Sequence, residues 1–136
     1  MLSIGTLSRQ TGVKIPTIRY YEEMGLLEEA ERSSGNQRRY TQEHLKRLSF
    51  IRHSRELGFS IPDIQELITL NAHPEHPCGD VHAIAERHLE ETKSRLRKLK
   101  RLEKELKRIT TCNADTVGAC NILETLADHR LCVTEH

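Results

Sequence analysis

The sequence predicts an all-α protein with one small β-hairpin, and three observations lead there. Charged residues make up 30% of the 136 and aromatics 4%, a balance that favours helices with solvated faces over a packed sheet sandwich. From Val81 to Thr110 there is neither Gly nor Pro, and Leu89, Leu96, Leu99, Leu102, Leu106 and Ile109 recur every three or four residues, apart from one gap of seven. That is the pattern of an amphipathic helix. The residues before position 71, by contrast, are broken by repeated helix start and stop signals. A chain of this length suits one or two small domains. The long helix uses much of it without supplying a core, so it needs a partner.

Taken in order, Ser3 caps a first short helix with Ile4 and Leu7 on one face, and Thr11-Gly12-Val13 breaks it. Pro16 suits the first turn of a second helix, Thr17 to Met24, which Gly25 ends. Two short helices joined by a tight turn have the form of a helix-turn-helix, whose second helix enters the DNA major groove. An ordinary helical hairpin has the same form. Lys14, Thr17, Arg19 and Tyr20 gather at the start of the second helix, where a helix-turn-helix presents donors to bases and phosphates.

The next stretch, Arg32 to Tyr40, is turn-rich, and its Ser34-Gly35-Asn36 has hairpin-turn chemistry. Arg32, Arg38, Arg39 and Tyr40 on a projecting loop read as a phosphate clamp, a wing beside the second helix, or else as a flexible loop with incidental arginines. Thr41 caps a third helix with Leu45, Leu48 and Ile51 inward, stopping at Gly58. Ser60-Ile61-Pro62-Asp63 starts a short fourth helix bearing Ile64, Leu67 and Ile68. These two helices back the first two and complete a small core. Arg52 and Arg55 project from the third helix, as phosphate contacts or as solvated side chains.

Residues 71–77, with Pro74 and Pro77, form the clearest linker, because each Pro pushes the preceding residue out of helical geometry. Asp80 is the expected cap of the long helix. At 1.5 Å per residue that helix is about 45 Å long, so Cys78 and Cys112 at its two ends cannot meet within one chain while it runs straight. In an antiparallel pair of chains, Cys78 of one subunit lies beside Cys112 of the other. The leucines leave heptad phase between Leu99 and Leu102, so a short two-helix contact is expected rather than a long regular coiled coil. Beyond the loop from Cys112 to Cys120 come a brief helical pattern, Ile122, Leu123 and Leu126, and a tail with Cys132 and His136.

The formal net charge of +1 does not betray a nucleic-acid ligand. Between Lys93 and Arg108 nine Lys/Arg face only Glu103 and Glu105, which reads as the wet face of a coiled coil rather than as a DNA contact. No basic leader precedes an apolar run, and no stretch is long and apolar enough for a transmembrane helix. The sequence reads as that of a soluble, cytoplasmic protein with no membrane partner. In that compartment the four cysteines remain thiols, available for metal or redox chemistry. An enzyme is not expected: a cysteine nucleophile needs an organised Cys–His pair, and none is evident.

Ile4-Gly5-x-Leu7-Ser8, Thr17-Ile18-Arg19-Tyr20-Tyr21-Glu22, Gly25-Leu26-Leu27, Arg32, Arg38-x-Tyr40, Leu48-x-Phe50-Ile51-Arg52 and Leu57-Gly58-Phe59-Ser60 together resemble the MerR family of transcription regulators. The resemblance covers essentially the whole chain. It implies a winged helix-turn-helix DNA-binding domain over 1–70, a linker over 71–80, a long antiparallel coiled-coil dimerisation helix over 81–111, and a metal-binding loop, short helix and tail over 112–136. Cys78, Cys112 and Cys120 stand where divalent-metal members carry their thiolate ligands, whereas monovalent copper, silver or gold sensors usually have serine in the place of Cys78. Cys78-Gly79-Asp80-Val81 and Cys112-Asn113 look most like the cadmium/lead-responsive branch. Seven residues separate Cys112 from Cys120, as in many copper sensors, and Cys112 is single where zinc sensors often have an adjacent pair.

What the resemblance implies is a homodimer that binds a pseudo-palindrome in promoter DNA alongside RNA polymerase. It acts as repressor or activator by bending and untwisting that DNA when a divalent soft metal ion (Cd, Pb, Zn or Hg) binds. Because Cys78 cannot reach its own loop, a site using all three thiolates takes Cys78 from the partner subunit; His76, His82, Asp115, Cys132 or water is left as fourth ligand. Arg19 and Tyr20 fall to the recognition-helix contacts, Lys14 and Thr17 to its N-terminal phosphate or base contacts, Arg38 and Tyr40 to the wing, and Arg55 to the DNA backbone. The alternatives are a thiol-based redox-responsive DNA-binding regulator, with Cys112 and Cys120 as a disulfide, and a monovalent copper-type sensor of the same family.

Overall fold

The computed structural model describes residues 1–111, 115–119 and 121–127. Packing divides the chain into two units, Met1–Ile84 and Ala85–His136. The first contains α1 (Ile4–Thr11), α2 (Ile15–Glu23), β1 (Glu31–Arg32), β2 (Arg38–Arg39), α3 (Gln42–Glu56) and α4 (Ile61–Asn71). Helix α5 (Gly79–Ile109) starts in the first unit and makes up much of the second, followed by a 3-10 turn at Val117–Ala119 and α6 (Asn121–Ala127). The fold is mostly helical with one two-stranded wing, as expected. Among the described residues no helix is long and apolar enough to cross a membrane.

Local chemistry sets the ends of the short helices. The Ser3 and Ser60 hydroxyls accept the backbone N–H of Thr6 at 3.1 Å and of Asp63 at 3.2 Å, satisfying donors that a helix start leaves over. Gly12 closes α1 at φ 75° with its N–H on the Ser8 carbonyl, a left-handed conformation that costs a side-chain-bearing residue energy. Helix α2 begins at Ile15, two residues before the expected Thr17, with Pro16 in its first turn.

Helix α3 carries a capping box that the sequence did not announce. Thr41 Oγ1 accepts the His44 N–H at 3.4 Å, while His44 Nδ1 accepts the Thr41 N–H at 2.9 Å. Acceptance at Nδ1 leaves the proton on Nε2, which donates to the Glu28 and Glu29 carbonyls at 3.1 and 3.3 Å. His44 therefore does the work usually given to Glu or Gln at this position, and does it 5% exposed.

The core of the first unit gathers Leu7, Val13, Ile18, Tyr21, Leu26, Leu27, Tyr40, Leu48, Ile51 and Ile64. Leu48, Ile51 and Ile64 point inward as expected, while Leu45 and Ile68 pack at its edge. The wing pairs Glu31 with Arg39 and Arg32 with Arg38, antiparallel, around a turn in which Asn36 adopts φ 61°. Leu2 adds a bridge: its N–H and C=O exchange hydrogen bonds of 2.7 Å with those of Tyr40. The start of α1 is thereby tied to the base of the wing.

Asp80 does not cap the long helix. Gly79 is its first residue, and the Cys78 carbonyl accepts the His82 N–H at 2.9 Å, which puts Cys78 in the cap position and Asp80 in the first turn. The expected span of 81–111 is observed as Gly79–Ile109. In the second unit Ile109 and Glu105 are buried, and Glu105 takes the Arg108 guanidinium at 2.7 Å. Leu89, Leu96, Leu99 and Leu106 are 51 to 60% exposed, an apolar stripe on a helix whose basic residues from Lys93 to Arg108 all face water.

Candidate nucleic-acid interface and thiol site

Helix α2, the second of the helix-turn-helix, starts at an exposed Lys14, and no side chain caps it. A helix start of that kind presents backbone N–H groups and the positive end of the peptide dipoles to an anion. Thr17, half-buried, sits one turn in; Arg19 is exposed and Tyr20 is 46% exposed, its ring tilted against Tyr21 with centroids 6.0 Å apart. These four residues stand together on one end of the helix, as the sequence indicated.

The wing meets α2 along a groove lined by Arg19 from the helix, Arg32 and Arg38 from the two strands, and Glu22, Glu23 and Glu29. Three arginines from three elements and three glutamates share its lining. Arg32 was read only as part of the loop; its place opposite Arg38 follows from strand register. Arg32 Nη1 also donates to the Asn36 carbonyl at 3.1 Å and Arg39 Nη2 to Gln37 Oε1 at 3.0 Å, so both stiffen the hairpin.

Tyr40 is a correction. It is fully buried, so it offers no surface to DNA. Its phenol donates to Glu22 Oε1 at 2.5 Å, and its ring meets His44 edge-on at 5.2 Å. Burial chiefly, then the hydrogen bond to Glu22 and that carboxylate's charge, push the Tyr40 phenol far above its ordinary pKa, with Arg38 opposing. A sequence signal existed: Tyr40 directly precedes the Thr41 cap, a position often occupied by an apolar residue packed against the helix it introduces.

Arg55 is exposed, and its Nη1 donates to the Phe59 carbonyl at 2.8 Å, closing the turn between α3 and α4. Arg52 turns inward. Its guanidinium donates to the Thr11 carbonyl at the end of α1 and meets Glu56 at 3.0 Å, joining α3 to the turn of the helix-turn-helix.

Of the cysteines expected as metal ligands only Cys78 lies among the described residues, and it is an exposed thiol; Cys112, Cys120 and Cys132 lie outside them. His76 Nε2 and Asp80 Oδ2, 2.8 Å apart, flank Cys78 on either side. His82 lies in the first turn of the helix that follows it. Among the described residues no three His, Cys, Asp or Glu side chains are grouped to hold a metal ion, so Cys78 would need donors from elsewhere.

Residues 2–70 match the family described as MerR HTH family regulatory protein, and residues 45–109 match the one described as MerR, DNA binding. The chain belongs to the MerR family of transcription regulators. It is 38% identical over 130 residues to the HTH-type transcriptional regulator ZntR of Escherichia coli K12, covering 93% of this chain and 92% of that one. Among solved structures it is similar to the transcription regulator PbrR691 from Ralstonia metallidurans CH34 in complex with lead(II), at 38% identity and a TM-score of 0.80, covering 93% of this chain and 99% of that one. It is also similar to the dual function transcriptional regulator MerR from Bacillus megaterium MB1 in complex with mercury(II), at 30% identity and a TM-score of 0.71, covering 93% and 100%.

As a MerR-family protein the chain binds DNA, and its helix-turn-helix and wing are built for that. What sequence reasoning missed are residues that hold the wing and the start of α3 in place: Leu2, Glu22 and His44. None announces itself, because each has a partner at least 15 residues away.

Proposed function

We propose that this protein is a metal-sensing transcriptional regulator that binds promoter DNA as a homodimer. On binding a divalent soft metal ion (Cd, Pb, Zn or Hg) it distorts the promoter and activates metal-resistance or efflux genes. The observation that carries the reading is the pairing of exposed cations on the recognition helix and wing, Lys14 and Arg19 with Arg32, with an exposed Cys78 at the head of α5, in a chain similar over 93% of its length to regulators solved with lead(II) and mercury(II). Lys14, Thr17, Arg19 and Tyr20 supply donors from the recognition helix, Arg38 and Arg32 from the wing, and Arg55 a further cation for the DNA backbone.

The dimer follows from α5. Leu89, Leu96, Leu99 and Leu106, each more than half exposed, form a stripe that a second copy of the helix covers. A straight helix of 31 residues is about 45 Å long, so Cys78 joins the loop cysteines Cys112 and Cys120 of the partner and each site spans the interface. Three thiolates select soft ions over Mg or Ca. A ligand shifts a two-state dimer only through its different affinity for the two states, and a site shared between subunits has that property. Metal-driven repositioning of the two DNA-binding units then acts on the deformation energy of the promoter.

The test is subunit mixing. Neither Cys78→Ser nor Cys112→Ser homodimers take up Cd, Pb or Hg, whereas their heterodimer recovers about one wild-type site, as two-fold symmetry requires. No recovery in the mixture would place each site within one chain, and a wild-type protein that forms a reversible disulfide without taking up metal would replace the sensor reading with the redox one.

A further inference from the structure

We propose that Glu22 and Tyr40 form a positioning pair that holds the wing at a fixed distance from the recognition helix, and so sets how firmly Arg38 and Arg19 grip the DNA backbone. The inference rests on the reading of those arginines as DNA contacts.

A hairpin with two-residue strands is marginal by itself, so its arginines are aimed only if its base is anchored. Tyr40 supplies the anchor from three sides. Its main chain exchanges two 2.7 Å hydrogen bonds with Leu2, its ring packs edge-on against His44 of α3, and its phenol reaches across to Glu22 of α2 at 2.5 Å. The last contact joins the base of the wing directly to the recognition helix. Glu22 lies one turn beyond Arg19, and Arg38 lies two residues before Tyr40 and close enough to affect its hydroxyl. The pair therefore sits between the two cations it would space.

Charge makes the case sharper. Glu22 lines the groove that contains Arg19, Arg32 and Arg38, so in a phosphate-binding surface its carboxylate is repelled by the ligand. Electrostatics alone says that deleting it strengthens DNA binding. Positioning says the reverse, because the acceptor for Tyr40 is lost. The two accounts differ in sign.

The test uses the full-length protein and a random-sequence DNA duplex, since phosphate contacts are independent of sequence, read by fluorescence anisotropy across a salt series. Glu22→Gln keeps an acceptor for the phenol and removes the charge, so it binds at least as tightly as wild type. Glu22→Ala and Tyr40→Phe bind about tenfold more weakly, with the salt slope reduced by about one, the loss of one phosphate contact. Arg38→Ala shows a similar loss, and adding Tyr40→Phe to it weakens binding no further. Glu22→Ala binding as tightly as wild type or tighter would overturn the proposal, as would losses from Tyr40→Phe and Arg38→Ala that add in full. Wild-type binding by Arg38→Ala instead removes Arg38 from the interface and fails the underlying reading. Should Tyr40→Phe not fold, the Glu22 variants decide alone, because Glu22 is a half-buried helical position that accepts Ala.

Discussion

Replacing Gly12 by Ala probes the turn that orients the recognition helix. Gly12 sits at φ 75°, and holding Ala in that left-handed region costs roughly 1–2 kcal/mol. A Cβ built there lies 2.6 Å from Arg52 Nη1 and 3.0 Å from Arg52 Cζ, so the guanidinium must move and give up the Thr11 carbonyl. Arg52 is 46% exposed, and water replaces part of that hydrogen bond, leaving a loss of about 1 kcal/mol. Gly12→Ala should therefore destabilise the protein by roughly 2–3 kcal/mol, the sum of those two terms. On an Arg52→Ala background the obstruction is gone, and the same substitution should cost about 1–2 kcal/mol. Urea unfolding followed by circular dichroism measures all four proteins, at one protein concentration because a dimer's stability depends on it. An equal cost on both backgrounds would refute the argument that Arg52 opposes the new methyl group.

Further outcomes follow from the same geometry. Tyr40 has its pKa raised from 10.0 in the fold, so its contribution to stability is complete below about pH 10 and declines as pH rises beyond it, where the unfolded chain loses the phenolic proton first. Urea midpoints taken from pH 8 upwards should show that decline in the wild type and a smaller one in Tyr40→Phe. His44→Ala removes the half of the capping box that its ring makes and leaves the Glu28 and Glu29 carbonyls without their shared donor, at about 2–3 kcal/mol; His44→Gln, which retains an acceptor for the Thr41 N–H, should recover part of it. Arg19→Ala should weaken binding to duplex DNA and lower its salt slope by about one, measured by anisotropy. An unchanged slope would take Arg19 off the phosphate backbone.

Much of the first unit was legible because its signals are local. A serine hydroxyl caps a helix through an N–H three residues on, as at Ser3 and Ser60, so the residues that decide a boundary stand side by side in the chain. The long helix was legible for the same reason, although its start was misplaced: Asp80 is a better capping residue than Cys78 by propensity, but its carboxylate is engaged by His76 and the helix reaches back to Gly79. Of the candidate site, the cluster at the head of α2 could be read from sequence, since all four residues share one helix end. Tyr40 could not. An aromatic beside three arginines on a hairpin has two uses, stacking outward or anchoring inward, and only the arrival of Leu2, Glu22 and His44 around it chooses between them.

The sequence by itself determined the helices, the wing, the exposed cations and the apolar stripe of α5, all products of capping, turn and periodicity rules acting over a few residues. The tertiary structure alone decided which distant groups the polar side chains join. Arg52 closes on the Thr11 carbonyl and Tyr40 on Glu22 across separations of 41 and 18 residues. A polar group as buried as the Tyr40 hydroxyl needs a partner to replace the water it gives up, and folding is what brings that partner near.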